Sequence, residues 1–90
     1  MKLNAIYGIS EGVRTREEDF GLLVVSKTTP ALALNDDMKS VWCLINGEST
    51  CGQILDAIKA QHGETDVDTK VDEIFETLIK VGLIQMIREV

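Results

Sequence analysis

The stretch 34–54 constrains this chain most, because it reads as the end of a strand, a helix, a glycine stop and the start of a second helix. Asn35 suits the N-cap, since its short side chain can accept from backbone N–H groups left free in the first turn. Asp36 and Asp37 then sit at the positive end of the helix dipole. Met38, Val41, Trp42 and Ile45 recur at helical spacing and share one face. Asn46-Gly47 closes the helix with residues that tolerate a left-handed backbone, and Ser49 or Thr50 caps the next. The single Trp therefore falls where a small core needs its largest apolar body.

Ninety residues make one domain with one modest core, burying roughly 60–65% of the unfolded surface. No window approaches the ~18 apolar residues of a membrane helix, and the first ten residues lack the apolar run of a signal peptide. A cytoplasmic protein is expected, with no membrane partner. The net charge is −6. Nucleic-acid affinity comes largely from neutralising phosphates, yet the nine Lys and Arg are scattered singly.

The pattern predicts residues 1–12 as an N-terminal arm or short edge strand. Residues 13–17 alternate apolar and polar and suit a half-buried strand. Glu18-Asp19-Phe20-Gly21 reads as a turn, and residues 22–26 form a β-branched strand. Lys27-Thr28-Thr29-Pro30 is a second turn. Pro30 lacks the N–H a central strand needs, so residues 31–34 make a short strand after it. Three tightly connected strands give an antiparallel sheet over 13–34. Three helices follow within 36–81: 36–45, 51–61 with Ile54, Leu55 and Ile58 inward, and 67–81. His62-Gly63 ends the second, and Thr65 or Asp66 caps the third. The third carries Val67, Val71, Ile74, Phe75, Leu78, Ile79 and Val81. Gly82 stops it, and 83–88 forms a terminal extended segment. The expected fold is α+β and winged-helix-like, a three-stranded antiparallel sheet followed by a three-helix bundle.

No catalytic residue, cofactor or metal set is found. Glu17, Glu18 and Asp19 are adjacent in a turn and do not converge. His62 stands alone at a helix end, where a capping role suits it better than catalysis. Cys43 and Cys51 read as packing residues. With one histidine they do not make the four ligands of structural zinc, and a nucleophile would need a base beside it. A binding module is the better expectation than an enzyme.

Taken together, Val13-x-x-Arg16-Glu17-Glu18-Asp19-Phe20-Gly21-x-Leu23, Leu34-Asn35, Val41-Trp42-x-Leu44-x-x-Gly47-x-x-Thr50-x-x-x-Ile54 and Val71-x-x-Ile74-Phe75-x-x-Leu78-x-x-x-Gly82-Leu83-Ile84 resemble the PqqD-like family. These are peptide-recognition domains of pathways that modify ribosomally made peptides. The resemblance implies a small non-catalytic protein that binds the leader of a precursor peptide and presents it to a modifying enzyme, often a radical SAM enzyme. It implies a leader added as a strand to the third strand, here Ala31, Leu32, Ala33 and Leu34, and lying in a cleft against the third helix. The small Ala31 and Ala33 leave the leader register open, because the family commonly carries a bulkier residue there.

On a helical wheel, Phe75 and Ile79 widen the apolar stripe of the third helix beyond the ~100° a surface helix needs, toward Asp68 and Asp72. Phe75 and Ile79, with Val71 beside them, are expected to receive apolar leader side chains, while Asp68 and Asp72 favour a nearby basic residue. The bland alternative is that Phe75 and Ile79 fill core. A winged-helix DNA-binding regulator is the competing function, but the third helix carries Asp68, Asp72, Glu73 and Glu76 against only Lys70 and Lys80. A small enzyme or metal carrier using the cysteines lacks a further ligand or base. A monomer or weak homodimer is expected, since an exposed strand edge can also pair with another copy.

Overall fold

A computed structural model describes residues 2–27, 30–62 and 66–90, with the backbone alone at His62. Its elements run β1 (Ala5–Ile9), β2 (Arg14–Glu18), β3 (Gly21–Val25), β4 (Leu32–Leu34), α1 (Asp36–Leu44), α2 (Cys51–His62), α3 (Val67–Lys80) and β5 (Ile84–Glu89). The architecture is the expected α+β one. β2, β3 and β4 form an antiparallel sheet in that order, with Glu18 opposite Gly21 and Leu22 opposite Leu34. The alternation of β3 buries Leu22 and Val24, and these meet Leu34, Val41 and Trp42 in one core with the inward faces of α2 and α3. No helix among the described residues is long and apolar enough to cross a membrane.

The structure adds a second, two-stranded sheet. Residues 5–9, expected as part of an arm or as a short edge strand, are a strand paired antiparallel with β5. Ala5 and Ile6 are buried, so this segment belongs to the core. The loop before α2 and the first turn of α2 flank the other side of β1 and the residues leading into it. Gly47 N–H donates to the Tyr7 carbonyl at 3.2 Å, Gly52 N–H to the Leu3 carbonyl at 2.9 Å, and Ile6 bridges Thr50. Sequence pattern alone does not reveal this pairing, because its partners lie about eighty residues apart and long-range closure leaves no local signature.

The helix boundaries follow from local chemistry. Asn35 Oδ1 accepts from Met38 N–H at 2.9 Å, capping α1. Thr50, not Ser49, caps α2. Its Oγ1 accepts from Gln53 N–H at 3.1 Å, while Gln53 Oε1 accepts from Thr50 N–H at 2.9 Å, a reciprocal capping box. Thr50→Ala is therefore expected to cost about 1 kcal/mol, read as a shift in the denaturant midpoint. Asp66 occupies the N-cap position of α3 without a side-chain cap bond. The expected turn at Thr28 and Thr29, the stop at Gly63, the cap at Thr65 and a capping side chain at His62 lie outside the described residues.

α3 ends at Lys80, one residue before the predicted boundary. Gly82 has φ +78°. Its N–H donates to Ile79 O and Leu83 N–H to Leu78 O, both at 3.0 Å, which caps the free carbonyls in a Schellman motif. Leu78 and Leu83 are both buried in the core. This turn reverses the chain and delivers β5 against β1.

Candidate functional site

An exposed strand edge offers unpaired N–H and C=O groups to an incoming chain. The described residues present three such edges: β2 and β4 on the larger sheet and β5 on the smaller one. β2 is guarded by Arg14, Arg16, Glu17 and Glu18, with Arg16 paired to Glu18 and Lys39 reaching Glu17 at 3.7 Å. β5 carries Arg88 and Glu89 and a bulge, since Ile87 is passed over between the Ile6–Arg88 and Tyr7–Met86 pairs. Charges and bulges both discourage strand addition. β4 reads Leu32-Ala33-Leu34, with no charge and no bulge.

Gly21 holds β4 close to the hairpin. It has φ +137°, and a Cβ placed there would sit 2.8 Å from the Leu34 carbonyl oxygen. Gly21→Ala is expected to cost about 1–3 kcal/mol through backbone strain and to loosen β4. Faster amide exchange at 32–34 would register that loosening.

Directly after β4, Asn35 and the start of α1 line a groove of about 270 Å³ with one flank of α3. Asn35, Asp37 and Met38 line one wall, and Lys70, Glu73, Ile74 and Thr77 the other. Below it lies an apolar notch of about 20 Å³ between Val41, Ile58, Val67, Val71 and Ile74. That is room for about one water or a methyl group, so the notch is a foothold within the groove and not a chamber. An extended chain laid along β4 would find main-chain partners on one side and this mixed surface on the other.

The structure divides the predicted site residues. Ala31, Leu32, Ala33 and Leu34 stand at the open edge; the two alanines are exposed, Leu32 is half-buried and Leu34 faces the core. Val71 borders the notch from below. Phe75 is core at 1% exposure, with Tyr7 against it at a centroid distance of 5.8 Å. Asp68, Asp72 and Ile79 lie with Phe75 on the opposite flank of α3, facing Leu3, Tyr7 and Met86. They do not share the groove beside β4. Lys70, Glu73, Ile74 and Thr77 do, and the wheel gave no reason to choose that more polar flank.

On the far flank, Lys59 Nζ meets Asp68 at 2.8 Å, and that bond raises the Lys59 pKa. Burial pushes the Tyr7 phenol up, with Cys51 and Glu89 adding to it. Burial also pushes the Cys51 thiol up, whereas Cys43 is exposed. A thiol-alkylating reagent at neutral pH is expected to label Cys43 alone until the domain is unfolded, because the reactive species is an accessible thiolate. Mass spectrometry of the labelled protein checks this. No group of three His, Cys, Asp or Glu among the described residues is placed to hold a metal ion.

No protein-family model matches the chain, and no curated protein matches it either. Among solved structures, the chain is similar to one described as TbiB1 in complex with the TbiA(beta) leader peptide, at 20% identity and a TM-score of 0.76. The match covers 87% of this chain and 94% of that one, so this protein has the fold of TbiB1 along nearly its whole length.

Proposed function

We propose that this chain is a leader-peptide recognition element. It is a non-catalytic accessory protein that takes up the leader of a ribosomally made precursor peptide as a strand added to β4. It presents the remainder to a modifying enzyme, with a radical SAM enzyme the expected partner. The observation that carries the reading is the uncharged, unbulged edge of β4, followed in the chain by Asn35, which lines a groove against α3. The fold shared with a protein solved in complex with a leader peptide supports it, as does the resemblance of residues 13–87 to PqqD-like domains.

In this reading the backbone of Ala31, Leu32, Ala33 and Leu34 supplies affinity. Met38, Ile74 and Thr77, with Val71 beneath, select the side chains that point inward. DNA is the poorer ligand, because the exposed faces of α3 carry Asp68, Glu73 and Glu76, and net negative charge repels phosphate.

The test is a titration with the short peptide encoded beside the gene. Amide shifts are expected at 32–34 and at Lys70, Glu73 and Thr77. Thr77→Trp, at an exposed position, is expected to fill the groove and weaken binding about tenfold or more while leaving the unfolding midpoint near the parent value. Shifts confined to other surfaces, or full affinity in Thr77→Trp, would overturn the assignment.

A further inference from the structure

The far flank of α3 is a second groove that leader capture does not use. Two hollows of about 370 and 230 Å³ meet at Asp72 and run along one side of the helix. Leu3, Ile79 and Met86 line it at 52%, 42% and 44% exposure, a cluster of large apolar side chains left in water. Asp68, Asp72 and Glu76 stand at i, i+4 and i+8 on the same side of α3, so they stack along one edge. Like charges at that spacing cost an isolated helix a few tenths of a kcal/mol per pair. Asp68 is held by Lys59 at 2.8 Å, and Lys2, which also lines the groove, reaches Glu89 at 3.6 Å; both pairs are exposed, so a partner's cations can compete for the acids at modest cost.

We propose that this groove docks a basic amphipathic helix of a partner protein. The apolar face of the partner would cover Leu3, Ile79 and Met86, and its Lys or Arg residues would meet the acidic edge. From Asp68 to Ile79 the groove spans about 17 Å at ~1.5 Å per residue, the length of a three-turn helix. A helix suits the site better than a strand. The neighbouring β5 edge is bulged and charged, whereas a helix satisfies its own backbone and needs only side-chain contacts. The two grooves lie on opposite flanks of α3, so one protein can hold a peptide and a partner at once. This docking does not depend on what β4 binds.

The probe is a synthetic Leu/Lys helix of about 14 residues, enough for the groove with one spare turn, and its Leu/Glu counterpart, titrated at physiological salt. The Leu/Lys peptide is expected to shift amides across 68–79 and at Met86 and to leave 32–34 unmoved, and the Leu/Glu peptide is expected not to bind. Paired Ile79→Ser and Met86→Ser substitutions, and separately Asp68→Lys with Glu76→Lys, are each expected to weaken binding about tenfold or more. Reversing two acids elsewhere, Glu17→Lys with Asp19→Lys, is expected to change it less than about threefold. All six substituted positions are exposed, so circular dichroism should report an unchanged fold. Shifts centred on Glu17 and Asp19 at the end of β2 or on β4, or affinity indifferent to the serine pair, would overturn the proposal.

Discussion

Phe75→Ala is expected to cost the domain about 3–5 kcal/mol, the usual range for truncating a fully buried aromatic. Phe75 is 1% exposed, and its ring lies 5.8 Å from that of Tyr7 at an interplanar angle of 47°. That contact joins α3 to the small sheet, so removing the ring empties the seam between the two. A domain of this size is worth about 5–15 kcal/mol in total. The expected loss takes about a fifth of it or more and lowers the melting temperature by roughly 12–40 °C at ~4–8 °C per kcal/mol. Ile79→Ala, four residues along the same flank, is expected to cost less than about 1 kcal/mol, because the side chain is already 42% exposed. Urea unfolding of the two variants checks the contrast. Equal losses would mean that Ile79 belongs to the core as Phe75 does, and that the far groove is closed.

A leader peptide N-methylated at every second residue is expected to bind in one phase and fail in the other. Successive residues of a strand point their N–H groups to opposite sides, so only one set faces β4. Each main-chain hydrogen bond contributes about 0.5–1.5 kcal/mol net, and an orphaned acceptor adds to the loss. With β4 three residues long, removing two bonds predicts a loss of about 1–3 kcal/mol, or roughly 5–150-fold in affinity. The opposite phase should bind within a few-fold of the unmodified peptide. Fluorescence anisotropy with the two labelled peptides decides the matter, and equal weakening in both phases would rule out strand addition.

Most of the larger sheet and all three helices were legible in the residues. Asn35, Thr50 and Gly82 are local punctuation whose effect depends on the nearest few residues, and each acts in the structure as its chemistry requires. The β1–β5 pairing was not legible, since Ile6 and Arg88 carry no mark of each other.

The candidate site divides along the same line. That β4 is short, uncharged and follows a proline is a property of the sequence, and it identifies the edge. Which side of α3 packs beside the start of α1, where β4 ends, is a property of packing. The wheel centres the buried stripe on Leu78, flanked by Phe75 and Ile79 on one side and by Ile74 and Thr77 on the other. Periodicity is blind to which flank the fold turns toward β4. The packing of α1 against α3 brings Met38 beside Ile74 and Thr77, while the return of β5 places Met86 beside Phe75 and Ile79. One amphipathic helix thus serves two grooves. Its own residues set the width of the apolar face, and only the tertiary arrangement of its neighbours apportions that face between them.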